Sequence, residues 1–128
     1  MGEATRADKK GRVLKSSYTA PKILRWYWER LHQAKGEGQK VAWVSGNAPA
    51  ELLYAFDVLP AYPENYAAVM ASMHLSEIFC SAAEEKGFSR DLCSYARTNL
   101  GDVFWDRPNK PDLPFGGLPE PDLLVTTR

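Results

Sequence analysis

A short apolar run that ends in a polar turn and leads directly into an apolar helix constrains the fold of this chain most strongly. Lys40–Val44 has the length and composition of a buried parallel strand, residues 45–49 form the turn, and residues 50–56 form the helix. Further short strands are predicted over 58–62 and 122–127. Strands that alternate with helices build parallel sheets. We therefore predict an α/β fold, a Rossmann-like parallel sheet with flanking helices. The final strand predicts that this is the incomplete, N-terminal portion of a larger subunit.

The first 18 residues are predicted to form a flexible basic arm. They are polar, and the first 40 residues contain ten basic and only four acidic side chains. A helix is expected to begin near Thr19 as its N-cap, with Pro21 in its first turn, and to end before Gly36. The predicted α/β region therefore runs from residue 19 to residue 128.

Apolar residues cover more than one face between residues 65 and 86, which predicts a single buried helix ended by Gly87. A shorter helix is expected over 91–100, capped by Ser89 and terminated by Gly101. The proline-rich residues 108–121 predict a long extended loop.

Composition excludes several classes of protein. Sixteen basic residues balance sixteen acidic ones, which argues against a general nucleic-acid or membrane-surface binder. No stretch is long and apolar enough for a spanning helix, and no apolar signal segment is visible at the start. The single Gly46 makes neither a dinucleotide fingerprint nor a P-loop. We expect a cytoplasmic protein that binds neither nucleic acid nor membrane.

Two cysteines are too few for a disulfide scaffold and lack C-x-x-C spacing, so free thiols are expected. Cys93 lies at the start of the predicted short helix, where the helix dipole favours a thiolate. It is therefore either a free thiol or a nucleophile or iron ligand. Cys80 lies in the middle of an apolar helix and is predicted to pack in the core.

Ser45 and Glu64 are predicted to face one cleft, because each follows the end of a strand. Glu64 is either a first-turn carboxylate that complements the helix dipole or an acid/base group. Ser45 lacks the G-x-S-x-G context of a hydrolase nucleophile. His32 and His74 have no spaced partners for zinc or a catalytic triad.

Four segments, which follow one another along the chain, resemble the subunits of the benzoyl-CoA reductase and 2-hydroxyacyl-CoA dehydratase family. They are Val44–Asp57, Leu59–Asn65, Gly87–Arg97 and Pro119–Val125. The resemblance runs from about residue 20 to the end of the chain. It implies a subunit of an iron–sulfur enzyme that reduces an acyl-CoA thioester by one electron, driven by ATP hydrolysis.

By this resemblance Cys93 is a ligand of a [4Fe–4S] cluster, and Ser45 and Glu64 contact the acyl thioester and move protons. The implied partners are a second large subunit, an ATP-dependent activator protein and the acyl-CoA substrate. The sequence departs from the family in its cysteine count, since the resemblance implies three cysteine ligands on each large subunit and only Cys93 matches. We therefore expect that this chain alone does not hold the cluster.

The sequence is compatible with two functions. The chain is the N-terminal part of a dehydratase or aromatic-ring reductase subunit, catalytic once completed. Alternatively, it is a non-catalytic α/β binding or scaffold module that has lost the cluster site. The residues do not distinguish dehydration of a hydroxyacyl-CoA from reduction of an aromatic ring.

Overall fold

The computed structural model describes residue 14, residues 16–105 and residues 113–126. These ranges contain three strands, β1 (Lys40–Val44), β2 (Val58–Ala61) and β3 (Leu123–Val125). The strands form one parallel sheet in the order β2–β1–β3, in which Val41 pairs with Leu59 and Trp43 pairs with Leu124. The predicted parallel α/β sheet is confirmed, and β1 has the predicted bounds.

Helices cover both faces of this sheet. Five α-helices and one 3₁₀ turn lie within the described ranges: α1 (Ser16–Ala34), α2 (Ala50–Ala55), α3 (Pro63–Ser72), α4 (Ser76–Glu85), α5 (Ser94–Phe104) and the turn Pro114–Gly116. Alternate side chains of β1 point to opposite faces, as expected for a strand. Val41 packs into a cluster with residues of α1, α3 and α4, whereas Ala42 and Val44 pack against Leu53 of α2. No helix of the described residues has the length and apolar character needed to cross a membrane.

The prediction of one helix over residues 65–86 was wrong, because the chain turns at His74. His74 adopts a left-handed conformation with φ of 60°. The backbone N–H of Leu75 donates to Met70 at 2.9 Å, and that of His74 donates to Ala71 at 3.1 Å. This pair of bonds is the Schellman ending of α3. The sequence does not indicate this helix end, because histidine occupies the position where glycine is usual. Gly87 ends α4 by the same motif, as predicted.

The predicted bounds of the next helix were also wrong. The Ser89 hydroxyl accepts a bond from the N–H of Asp91 at 3.1 Å, but this closes a turn, and α5 begins only at Ser94. Gly101 lies inside α5 and does not end it. A Cβ at Gly101 would stand 1.9 Å from the carbonyl oxygen of Phe79. The glycine is therefore required for the close approach of α4 and α5.

Helix α1 begins at Ser16, three residues before the predicted cap at Thr19, and Pro21 lies inside it. Proline removes the bond to the carbonyl of Ser17, but both residues are exposed, so water can bond that carbonyl. The predicted arm before Leu14, and Lys15, lie outside the described residues. Residues 108–112 of the predicted extended loop also lie outside them, and the described remainder of that loop contains the 3₁₀ turn.

Candidate functional site

The turn that follows β1 is held to the sheet by backbone hydrogen bonds. The N–H of Ser45 donates to the carbonyl of Val125 in β3 at 3.2 Å. The carbonyl of Ser45 accepts from the N–H of Ala48 at 2.9 Å, which closes the turn. Ser45 is half-buried, and its position at the carboxyl end of β1 is as predicted.

The carboxylate of Glu64 lies against this turn. Pro63 and Glu64 form the start of α3, directly after β2 and the capping residue Tyr62. A Cβ on Gly46 would stand 3.1 Å from Oε2 of Glu64. The absence of a side chain at Gly46 thus leaves the carboxylate room beside the turn backbone. The structure brings Glu64 to the Ser45 turn, as the sequence predicted.

A cavity of about 220 Å³ lies where these elements meet. Its lining comes from the ends of β1 and β3 and from the start of α3: Trp43, Val44, Ser45, Pro63, Glu64, Leu124, Val125 and Thr126. The chain passes from β1 to a neighbour on one side and later returns to the other side. Open α/β sheets bind ligands outside the carboxyl ends of the strands at such a reversal of strand order.

A larger surface groove of about 710 Å³ lies on the other side of Glu64. Residues of α1, the β1 turn and the start of α3 line it: Ala20, Ile23, Leu24, Trp26, Tyr27, Gly46, Tyr62, Glu64 and Asn65. Apolar and aromatic side chains predominate among these described residues, and Glu64 is the acidic residue among them. Glu64 therefore faces both a small cavity at the sheet edge and an apolar groove.

Two tyrosines of this groove remain protonated at neutral pH. Burial, with smaller contributions from Tyr54 and Glu51, raises the pKa of Tyr62. Burial also raises the pKa of Tyr27 well above its usual range, and the Tyr27 hydroxyl donates a hydrogen bond to the carbonyl of Pro60. Tyr62 can therefore act as a hydrogen-bond donor beside Glu64, whereas the hydroxyl proton of Tyr27 is already engaged.

Cys93 does not line the cavity or the groove at which Ser45 and Glu64 lie. It is the N-cap of α5, and its side chain is exposed. Its thiol makes no capping bond to the first turn of α5. The prediction that Cys93 stands at a helix start is confirmed, whereas its role stays a prediction.

Cys80 is half-buried on α4 and faces α5. Its Sγ lies 3.7 Å from the carbonyl oxygen of Ser94 and 3.7 Å from the hydroxyl of Thr98. These contacts fit a thiol that fills the space between two helices. Among the described residues there is no group of three His, Cys, Asp or Glu side chains arranged to hold a metal ion.

The two cysteines of this chain therefore offer one candidate ligand for an iron–sulfur cluster. Cys93 is an exposed thiol at a helix N-terminus and is accessible from outside the chain. Cys80 is turned toward the backbone of α5. A [4Fe–4S] cluster bound by cysteines requires further thiolates. The chain has two cysteines in total, so those ligands would have to come from outside it.

Sequence reasoning missed two aspartates that bond one element of the fold to another. Asp122 accepts a bond from the N–H of Val41 at 3.0 Å and pairs with Lys40, which ties β3 to β1. Asp102 is buried and accepts bonds from the hydroxyl of Tyr66 and the N–H of Leu118. An aspartate directly before a strand and one flanked by glycine and valine within a helix were the available signals.

Comparison with known proteins identifies a family for this chain. The sequence model of the family described as 2-hydroxyglutaryl-CoA dehydratase, D-component, matches residues 46–128. That range contains Gly46, Glu64 and Cys93, and Ser45 immediately precedes it.

Three curated relatives are similar over much of the chain. The (R)-2-hydroxyisocaproyl-CoA dehydratase alpha subunit of Clostridioides difficile is 49% identical over 79 residues, which are 62% of this chain and 19% of that subunit. The (R)-phenyllactyl-CoA dehydratase alpha subunit of Clostridium sporogenes is 39% identical over 93 residues, 73% of this chain and 22% of that subunit. The (R)-2-hydroxyglutaryl-CoA dehydratase subunit alpha of Acidaminococcus fermentans is 42% identical over 73 residues, 57% of this chain and 15% of that subunit.

The matched part of this chain thus spans between 15% and 22% of the length of these relatives. The family match covers more than half of the chain and includes the turn after β1, the start of α3 and the cysteine at the start of α5. The chain therefore belongs to the 2-hydroxyglutaryl-CoA dehydratase D-component family.

Proposed function

We propose that this chain is the N-terminal part of an alpha-type subunit of a 2-hydroxyacyl-CoA dehydratase. One observation carries the proposal: the Glu64 carboxylate lies beside Gly46 and the Ser45 turn, at the carboxyl end of β1. This is where an open α/β sheet binds ligands. The three relatives described above are named as dehydratases of 2-hydroxyacyl thioesters, which favours dehydration over reduction of an aromatic ring.

Removal of water from a 2-hydroxyacyl thioester requires groups that move protons, because the hydroxyl leaves from C2 and a proton leaves from C3. A positioned carboxylate can accept and return a proton, and Glu64 lies at the border of the cavity and the groove. A serine hydroxyl can donate a hydrogen bond to the thioester carbonyl, and Ser45 lines the same cavity. We assign these roles to Glu64 and Ser45.

The apolar groove beside Glu64 suits the acyl portion of the substrate. Its side chains, among them Leu24 and Tyr62, would exclude water from the reacting atoms. Exclusion of water strengthens each electrostatic interaction with the thioester.

Cys93 is proposed as one ligand of an iron–sulfur cluster, with the other thiolates outside this chain. When bound, such a cluster supplies low-potential reducing electrons and an open iron position. The proposal further includes a second large subunit and an activator protein that hydrolyses ATP. The word "alpha" in the names of the relatives supports a partner subunit.

Substitution in the complete subunit, assayed with its partner, activator, ATP, reductant and a 2-hydroxyacyl-CoA, tests this proposal. Glu64→Gln is expected to lower turnover by about 10²–10⁴, the usual effect of losing a general acid or base, with the iron content unchanged. Glu51→Gln is the matched control, since Glu51 is also an exposed carboxylate in the first turn of a helix. Cys93→Ser is expected to remove both iron and activity.

Equal turnover in the Glu64→Gln and Glu51→Gln variants would overturn the role of Glu64. The alternative function, a non-catalytic α/β binding or scaffold module, is favoured by the cysteine count of the chain. A wild-type complete subunit that binds no iron would support that alternative, whereas full iron after Cys93→Ser would overturn the role of Cys93 as a ligand.

A further inference from the structure

The segment that carries Cys93 has no regular secondary structure of its own, but a half-buried side chain of α5 bonds its backbone. Residues 88–93 lie between the end of α4 and the start of α5, and Cys93 is exposed. Arg97 is one turn further along α5. Its backbone N–H donates to the carbonyl of Cys93 at 3.0 Å, and its Nε donates to the carbonyl of Leu92 at 3.2 Å.

The same guanidinium also reaches α4. Its terminal nitrogen donates to Oε1 of Glu84, and the two side chains are only 19% and 20% exposed. Arg97 therefore joins three elements: its own helix, the loop residue that precedes Cys93, and α4. A planar guanidinium can make both side-chain bonds at once, because its N–H groups point in fixed, different directions.

We propose that Arg97, oriented by Glu84, is the positioning residue for Cys93. The reason why Cys93 needs a fixed position rests on the proposed function. The contacts of Arg97 do not depend on what Cys93 binds. A cysteine that ligates a metal cluster must present its sulfur at a fixed point, and supporting bonds to the ligand's surroundings commonly provide this. The Arg97 side chain bonds the carbonyl directly before Cys93, its backbone N–H bonds the carbonyl of Cys93, and neither bond involves the thiol.

Arg90 provides a matched control on the same carboxylate. Its Nε donates to Oε2 of Glu84 at 2.8 Å, but its side chain is 84% exposed. Arg90 lies in the loop itself, where an exposed ion pair contributes little, and among the described residues its side chain donates to Glu84 and to no backbone group of the loop. Removal of Arg90 therefore tests the loss of a charge beside Glu84 without loss of the bond to Leu92.

Hydrogen–deuterium exchange of this chain, measured by mass spectrometry, tests the proposal. In Arg97→Met, exchange of the bonded amides of Asp91 and Leu92, measured in peptides that cover residues 90–96, should accelerate at least about tenfold, the effect of losing one hydrogen bond to a charged group. In Arg97→Lys it should accelerate similarly, because an ammonium cannot bond Leu92 and Glu84 with the same geometry. In Arg90→Gln, and in β1 peptides of all three variants, exchange should stay close to wild type.

Alkylation of Cys80 gives a second readout. In a Cys93→Ser background, the half-buried Cys80 thiol contacts the backbone of Ser94, so its alkylation reports how tightly the start of α5 is held. It should be faster with Arg97→Lys than with Arg90→Gln.

Equal exchange in the Arg97 and Arg90 variants would overturn the positioning role. So would equal acceleration over residues 90–96 and β1, since it would show only a general loss of stability. Should Arg97→Met not fold, Arg97→Lys decides the outcome. None of these measurements involves iron or turnover, so a failure here is distinguishable from a failure of the proposed function, which the iron content of Cys93→Ser reports.

Discussion

Oε2 of Glu64 lies 3.1 Å from the point where a Cβ on Gly46 would stand. Two turns that are 18 positions apart in sequence thus meet with no side chain between them. The exposed carboxylate can give way by a few tenths of an ångström, whereas the turn backbone is bonded to β3 through Ser45. A change at Gly46 is therefore transmitted to the position of Glu64.

Under the proposed role of Glu64, we expect Gly46→Ala in the complete subunit to lower turnover by about tenfold, since small displacements of a proton-transferring group are costly. The free energy of unfolding should change by less than about 0.5 kcal/mol, as for other surface substitutions. Steady-state kinetics and denaturant unfolding measure the two effects. Wild-type turnover in a correctly folded Gly46→Ala variant would contradict the role of this contact.

Asp122 predicts a dependence of stability on pH. The N–H of Val41 and then the Lys40 side chain hold the pKa of Asp122 below its usual value. The contribution of the carboxylate is therefore fully present above about pH 4, the pKa in an unfolded chain, and is lost as the pH falls through the folded pKa. Asp122→Asn should be less stable than wild type at pH 7, and the difference should vanish under strongly acidic conditions. Urea titrations at several pH values check this, and a constant difference would refute it.

Gly101→Ala should separate α4 from α5. The new Cβ would stand 1.9 Å from the carbonyl oxygen of Phe79, which is backbone and cannot turn aside. We expect a loss of about 3 kcal/mol in the free energy of unfolding, at the upper end of the effect of overpacking. Gly36→Ala is the control, because its Cβ would meet an ordinary contact at 3.4 Å. Equal stability of the two variants would show that α4 and α5 can move apart without a loss in the free energy of unfolding.

Tyr66→Phe removes a buried donor. The Tyr66 hydroxyl bonds Asp102 at 3.2 Å, and its loss should cost about 1 kcal/mol at neutral pH. Burial, followed by the charge of Asp102, raises the pKa of Tyr66. Its contribution is therefore present below about pH 10 and is lost as the pH rises above that value. The wild type should lose stability more steeply than Tyr66→Phe above pH 10 in thermal unfolding, and parallel curves would argue against this.

The chain alone should not assemble a stoichiometric [4Fe–4S] cluster. It has two cysteines, and Cys80 is directed toward the backbone of α5. Anaerobic reconstitution followed by iron and sulfide assays should give far fewer than four irons per chain, the content of one such cluster. About four irons, lost on Cys93→Ala, would disprove this prediction.

The sheet and the approach of Ser45 to Glu64 were predictable, because both follow from local patterns. A short apolar run that ends in a polar turn identified β1, and parallel strands bring their carboxyl ends to one edge. These inferences need only the neighbours of each residue in sequence.

The errors have a common cause in tertiary contacts. His74 adopts a backbone conformation usual for glycine, and Leu75, which follows it, packs into the core. Gly101 resembled a helix end, but it is required by a neighbouring helix 22 residues earlier, at Phe79. The roles of Arg97 and Asp122 likewise depend on partners in distant segments, which a linear pattern does not specify.

The hydrogen bonds that bind β3 to β1 use backbone groups and Asp122, whereas the cavity at the strand ends is lined by other side chains. Substitution of Ser45 or Glu64 would therefore leave the cleft in place, because strand order creates it. Within such a fold, substrate preference can diverge among related proteins through a few turn residues at little cost to folding. Under the proposed function, the same arrangement makes the turns after β1 and β2 the positions at which to engineer selectivity for a different acyl chain.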